Sequence, residues 1–296
     1  MSVMALLMLL LASLNNQTMQ LWRRTAGSVE AFQAARLAFD VMVRQIQTAT
    51  LNVYWDYDVP SAPTRYLRRS DLAFVCGPAS AILGNSYGPG SAVFFQAPLG
   101  RLANPASHQL KLALNVCGFY LTFGDVNANL PGFLSLPAKN RYRLMSLQTT
   151  GEGMRVFGGR DQNNWFGDQL GGARILADNV VLLLVRPLSA ARLDISSVGY
   201  AMDSRLGENS VPQPPTSNQL PSLLDITMVV VSEDSQKRKD VVNGYQFAAA
   251  ELATLFNNPA NYDNDMKTFG DILLREKLEF RVFRQQIGLP NSKWSD

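Results

Sequence analysis

Apolar and polar residues change their spacing twice along this chain. From Ser2 to Leu14 (SVMALLMLLLASL) the apolar side chains face every direction, and Val3, Met4, Leu6, Leu7, Met8, Leu9, Leu10, Leu11 and Leu14 leave no polar face. Beyond Asn15, Asn16 and Gln17 the apolar residues keep one stripe: Trp22, Val29, Phe32, Ala35, Phe39, Met42, Val43, Ile46 and Ala49. The steps are mostly three, four and seven, with Arg23, Arg24, Glu30, Arg36, Asp40 and Arg44 largely off the stripe, which is the period of a helix with one buried face. No proline falls between Met1 and Thr50, so the pattern predicts one long N-terminal helix. At 1.5 Å per residue it measures roughly 75 Å, about twice the width of a domain of this size. The domain that follows cannot cover all of it. The stripe of Trp22, Val29, Phe32, Phe39, Val43 and Ile46 is expected to pack on a sheet, and Val3 to Leu14 to enter lipid or a helix bundle.

After Thr50 the period shortens. Leu51–Tyr66 reads as an aromatic, proline-containing linker, and short apolar runs bounded by Gly, Pro and Asn follow it. They predict strands near Leu72–Cys76, Ala92–Gln96, Val116–Phe123, Tyr142–Leu147, Val180–Arg186, Ile226–Ser232 and Leu278–Gln286. The continuous runs VVLLLV (Val180–Val185) and ITMVVV (Ile226–Val231) suit strands covered on both faces, with the long helix as one cover. Arg192–Pro221 is polar, ends in SVPQPPTSNQLP and is expected to be extended and mobile rather than packed. Asn243–Asn257 reads as a helix stopped by Asn258 and Pro259, and Asp265–Glu276 begins with helical turns capped by Asp265. The fold class is therefore α+β: a long helix over residues 1–50 packed on an antiparallel β-sheet domain over 51–296, with a helical insertion near 243–276.

The 296 residues, 47% hydrophobic, are enough for a proper core. A net charge of +3 with scattered Lys and Arg gives no footprint for nucleic acid; the clusters at Arg23–Arg24, Arg68–Arg69 and Lys237–Lys239 read as solvated faces. The two cysteines, Cys76 in AFVCGP and Cys117 in NVCGFY, sit in apolar strand-like runs. With one histidine in the chain they do not complete a zinc site. Two readings stand side by side: a disulfide if the domain lies outside the cytoplasm, or two buried free thiols.

Catalytic motifs fail on context. Gly84-Asn85-Ser86-Tyr87-Gly88 fits G-x-S-x-G, but Pro89 and Gly90 stand where a helix should begin, and no acid lies between Ser86 and the sole histidine, His108. Gly151-Glu152-Gly153 continues with Val156 where a dinucleotide loop requires glycine. Glu233 with Asp234, and Asp263 with Asp265, read as solvated turns without calcium-loop spacing. Neither enzyme activity nor a cofactor is expected. Aromatic residues at Tyr54, Trp55, Tyr57, Trp165, Phe166 and Trp294 could form a platform for a glycan or peptide; the alternative is that Tyr54 and Trp55 pack where helix meets sheet.

The helix start MSVMALLMLLLASL, its second half AFQAARLAFDVMVRQIQTAT, and the runs ILADNVVLLLVRP (Ile175–Pro187) and LPSLLDITMVVV (Leu220–Val231) resemble type IV pilin-like proteins, and within them the J-type minor pseudopilins of type II secretion. ATLNVYWDYD (Ala49–Asp58), SDLAFVCGPA (Ser70–Ala79), AVFFQAPLG (Ala92–Gly100) and FRVFRQQIGLPNSKWS (Phe280–Ser295) are similar to the pilin-like group called Verru_Chthon cassette protein C. The family's leader and its glutamate five residues into the mature protein are not in this sequence, which by this likeness begins about nine or ten residues inside the mature helix; the apolar run alone, about 20 Å as helix, is shorter than a bilayer core of about 30 Å. The resemblance implies a non-catalytic subunit whose helix is held in the inner membrane before packing against other pilin-like subunits. It also implies a domain in the periplasm or outside the cell, where a Cys76–Cys117 disulfide is chemically allowed, and no nucleic-acid or small-molecule partner.

Overall fold

The computed structural model describes residues 31–84, 87–104, 112–127, 138–157, 165–195, 200–240, 245–252 and 254–293. The apolar segment from Val3 to Leu14, together with Trp22 and Val29, lies outside them. Helix α1 (31–47) carries the rest of the stripe: Phe32, Ala35, Phe39, Met42, Val43 and Ile46 are buried, while Leu37 and Val41 face out. Arg36 and Asp40, one turn apart on the outer face, pair at 3.1 Å. Among the described residues no helix is long and apolar enough to cross a membrane.

Two antiparallel sheets and a hairpin follow. The hairpin joins β1 (Tyr54–Tyr57) to β2 (Tyr66–Arg69), so the segment read as a linker is strand at both ends. Trp55 and Tyr57 stand two apart, and the cross-strand pair of Tyr57 with Tyr66 stacks at 5.0 Å. Asp58 closes the turn by accepting from the backbone of Val59 and Thr64, which a reading by apolar runs does not see.

The larger sheet runs β7-β6-β5-β4-β3-β9, built from β3 (Val75–Pro78), β4 (Ser91–Ala97), β5 (Asn115–Asp125), β6 (Asn140–Gln148), β7 (Arg174–Asp178) and β9 (Met202–Asp203). The short helix α2 (Ala79–Leu83) follows β3. In the smaller sheet β10 (Leu223–Val231) lies between β8 (Val180–Leu188) and β11 (Phe280–Gly288), with Ile226 opposite Val185 on one side and Gln285 on the other. Strands β7 and β9 were absent from the sequence reading. The first lies at a sheet edge with no buried residue and no alternation of exposure, and the second is two residues long.

The continuous runs in β8 and β10 are covered on both faces. Leu224, Ile226, Met228 and Val230 join the core that contains α1, whereas Val229 and Val231 join a second core against α5 (Tyr262–Arg275). A bulge in β8, where Val229 faces Leu182 and Val230 faces Val180, puts Val181 and Leu182 both on the α5 side.

Between β10 and β11 the chain forms α3 (Glu233–Asp240), α4 (Ala249–Leu252) and α5. Helix α3 was read as a solvated turn. Ser232 accepts the N–H of Ser235, acids fill the first turn and bases the last, a pattern that stabilises both helix ends. The helix expected over Asn243–Asn257 shrinks to α4 because tertiary partners take its amides: Phe247 donates to the Tyr142 hydroxyl at 3.2 Å and Phe256 to the Asp265 carboxylate at 2.9 Å. Asp265 is accordingly buried inside α5 rather than capping it. The helix starts three residues earlier, after a turn at Pro259–Asn261 in which the Asn258 side chain accepts from Ala260.

Within Arg192–Pro221, expected to be mobile, the stretch 200–221 is held against the domain. Tyr200, Ser204, Ser217 and Asn218 are buried, and Arg68 on the hairpin donates to the carbonyls of Ser217 and Pro214. Polar side chains hold this segment, so its lack of apolar residues was misleading.

Removing Phe39, which is 1% exposed in the core of the α1 seat, leaves a cavity that the β-sheet cannot collapse into. Phe39→Ala is expected to lose about 3–5 kcal/mol of stability, measured as a lower urea midpoint with unchanged slope.

Candidate assembly interface

The seat of α1 is built by the C-terminal strand. In β11 the odd residues turn towards α1: the rings of Phe39 and Phe283 lie 6.0 Å apart, the Arg36 guanidinium is 5.9 Å from the Phe283 ring, and Arg281 sits 4.7 Å above Phe32. The helix end is pinned by the backbone. Thr50 donates to the Gln96 carbonyl at 2.9 Å, and the amide of Asn291, beyond β11, donates to the Ala49 carbonyl at 3.0 Å. An otherwise open carbonyl at the helix C-terminus is thereby satisfied from the far end of the chain. Of the sequence-derived packing set, Phe32, Phe39, Val43 and Ile46 are brought together in one core. Arg281, Phe283 and Asn291 were missed, since nothing in a strand-like run marks which face meets a helix.

The opposite face of the small sheet holds α5 by charge. Asp225, 3% exposed, accepts from Arg284 at 3.0 and 2.6 Å and from Arg186 at 3.4 Å. Both guanidiniums lie against the Tyr262 ring, at 4.5 and 4.6 Å, and the Tyr262 hydroxyl is 2.7 Å from that of Thr227. The hydrogen bonds of Asp225 hold Arg284 firmly in its charged form. A carboxylate so paired is tolerated in the interior, and α5 is locked to the sheet through Tyr262.

Cys76 and Cys117 are free and buried. They sit on β3 and β5, with β4 between them: Cys76 faces Val93 and Cys117 faces Phe95. Strands two places apart are separated by roughly 9.5 Å, beyond the reach of a disulfide. Burial pushes both thiols up to about 12, so each stays protonated and inert at neutral pH.

Gly88 of the G-x-S-x-G stretch and the neighbouring Gly90 serve close packing. Gly90 has φ 94° and a Cβ there would stand 2.1 Å from the Leu183 carbonyl oxygen; at Gly88 it would meet the Leu121 side chain at 2.6 Å. These glycines let the loop press onto β8 and β5. Ser86 and His108 lie outside the described residues. Glu233 is not a solvated acid: it accepts from Arg141 at 2.8 Å and from Asn179 at 2.6 Å, and although burial opposes it, these partners hold its carboxyl below the usual range. Among the described residues no group of three or more His, Cys, Asp and Glu side chains is arranged to hold a metal ion.

The aromatic residues divide. Trp165 is 2% exposed; it meets Phe166 edge-on, and Phe166 stacks on Phe94 at 3.9 Å over the space left by Gly118. It is core, not platform. Trp55, by contrast, is 66% exposed on the hairpin beside Tyr57 and Tyr66, so it does not pack where helix meets sheet. Trp294 lies outside the described residues.

No family model and no curated protein matches the chain. Among solved structures it is similar to a type IV-like pilin from Thermus thermophilus, with a TM-score of 0.36 and 10% identity over 88% of this chain and 97% of that one.

Two measurements check this geometry. Asp225→Ala leaves Arg284 without its carboxylate and Arg186 with Asp194 alone, at 3.0 Å, and is expected to lose about 1.5–3 kcal/mol in chemical denaturation. Iodoacetamide is expected to leave Cys76 and Cys117 unmodified in the native protein and to alkylate both in urea without prior reduction, read by intact mass.

Proposed function

We propose that this chain is a non-enzymatic pilin-like subunit, a minor pseudopilin of a type II secretion or type IV pilus-like apparatus. It assembles with other pilin-like subunits through its N-terminal helix, which the inner membrane holds beforehand, with the domain in the periplasm or outside the cell. The observation that carries this reading is the division of labour along the helix. The described part of the stripe, from Phe32 to Ile46, is spent on its own domain. Leu14, the last residue of the all-round apolar segment, stands 18 residues upstream of Phe32, about 27 Å along a continuous helix. A helix continued that far would carry the apolar segment away from the domain, where each Leu or Met it buries contributes about 1.5–3 kcal/mol to insertion or assembly.

A second reading, a membrane-anchored extracytoplasmic protein that binds a glycan or peptide, is favoured by the exposed row of Trp55, Tyr57 and Tyr66. The test is purification of the chain from its native membranes, followed by mass spectrometry of its N-terminal peptide and of what copurifies. A methylated N-terminal residue upstream of Met1 and copurifying pilin-like subunits, lost with Leu7→Asp, are expected. An unmodified N-terminus at Met1 or Ser2 without such partners overturns the proposal; a retained glycan or peptide that Trp55→Ala releases supports the second reading instead.

A further inference from the structure

The outer strands of the hairpin and the two sheets are β1 and β2, β8 and β11, and β7 and β9. An outer strand offers unpaired N–H and C=O groups to any other extended chain. All but one of these edges are closed to a further strand. Strand β9 is two residues long, and β7 has five residues with Leu176 as the extra residue of a bulge. Strand β8 abuts the larger sheet, where Gly90 bridges Leu183 and the Ser91 hydroxyl accepts from Val185. On β2 the Gln213 amide donates to the Arg68 carbonyl at 2.8 Å and accepts its N–H at 3.0 Å, as a neighbouring strand would. On β1, four residues long, the Asp56 carboxylate takes the N–H of Tyr57.

Strand β11 is the exception. Its nine residues, about 30 Å of strand, pair with β10 in one unbroken register. Just beyond its two ends Ser232 donates to the Glu279 carbonyl and Leu289 to that of Ser222, so the odd residues face β10. The N–H and C=O groups of Phe280, Val282, Arg284, Gln286 and Gly288 therefore point the other way. No hydrogen bond among the described residues takes them. Arg281 and Gln285 on the α1 side are exposed, and so are Val282, Arg284 and Gln286 on the α5 side, so neither helix covers the edge.

Charge narrows what can lie there. The strand FRVFRQQIG holds two arginines and no acid. Arg284 is committed to Asp225, whereas Arg281 lies over Phe32 and forms no ion pair among the described residues. A second copy of β11 laid on the first would double the arginines on one ladder, a like-charge arrangement that opposes pairing. We infer that the β11 edge is a docking site for an extended acidic segment of another protein, which adds a fourth strand to the small sheet. Its backbone pairs with Val282, Arg284 and Gln286, an acidic side chain stands opposite Arg281 on the α1 side, and an apolar one covers the exposed Val282 on the α5 side. This contact is separate from assembly through the N-terminal helix, and either can fail without the other.

The experiment follows amide hydrogen exchange of the purified full chain, residue by residue by NMR, with a capped peptide of the length of β11 that alternates valine with threonine and glutamate. In the free protein the amides of Val282, Arg284 and Gln286 are expected to exchange at least about tenfold faster than those of Phe283 and Gln285, which face β10. The peptide is expected to slow the first set saturably. A version with lysine for glutamate is expected to bind about threefold to tenfold more weakly, and one N-methylated at its valines, whose N–H groups face β11, not to bind. Val282→Pro removes an outward N–H and no bond to β10, and is expected to weaken the peptide about tenfold or more with the urea midpoint held. Arg281→Glu is expected to reverse the preference between the glutamate and lysine peptides, and serves if Val282→Pro does not fold. Slow exchange of Val282, Arg284 and Gln286 without peptide, whether constant or rising with protein concentration as a second copy takes the edge, would overturn the inference. So would saturating peptide that leaves these amides fast, equal binding of the lysine or N-methylated version, undiminished binding to folded Val282→Pro, or an unchanged preference in Arg281→Glu.

Discussion

Strand β10 has no face that meets water, and most of the architecture answers to that. Its even residues need α1 and its odd residues need α5. A strand of this kind costs the chain two covers rather than one, and the two are made in different ways. The α1 side is close-packed hydrocarbon with aromatic rings and guanidiniums at its margin. The α5 side is hydrocarbon at one end and, at the other, a carboxylate held between two arginines. The apolar cover supplies burial without direction. The ionic one adds orientation, because both guanidiniums that Asp225 holds lie against the ring of Tyr262, the first residue of α5.

What could be read in advance follows from the same division. The periods in α1, β4, β5, β8 and β10 were legible because burial imposes them, and the apolar runs mark those strands to within a few residues. Elements held by polar chemistry were not. The β1–β2 hairpin depends on Asp58, α3 on Ser232, and the path of residues 200–221 on Arg68, Gln213 and Asn218. Each such contact joins residues whose types are common in solvated loops, so composition argues for mobility where the folded chain is fixed. The candidate site was legible in part: the stripe identified Phe32, Phe39, Val43 and Ile46, while their partners Arg281 and Phe283 are recognisable only once β11 is placed.

Glycine has a comparable double meaning here. Gly84 and Gly88 fit a nucleophile-bearing turn, because glycines that expose a serine in one setting permit close approach in another, as Gly88 and the neighbouring Gly90 do here. The deciding fact is what lies opposite. At Gly90 it is a backbone carbonyl of β8, and at Gly118 the Phe94 ring, so both positions exclude side chains for reasons of space. The Tyr87–Ser91 segment therefore stitches the two sheets together, with Gly90 bridged to Leu183 in parallel and Ser91 accepting from Val185.

The tie between Asn291 and Ala49 joins residues 242 apart. The first described helix is thus seated by residues synthesised long after it. At about 5–20 residues per second, roughly 12–50 s separate the appearance of Phe39 from that of Phe283. Throughout that interval the stripe on α1 lacks the strand that covers it, and the chain carries an unburied apolar face next to its most apolar segment. A membrane or chaperone surface that receives the N-terminal segment early would shelter both at once. In this protein the timing of synthesis, and not the strength of any one contact, makes early capture of the helix valuable.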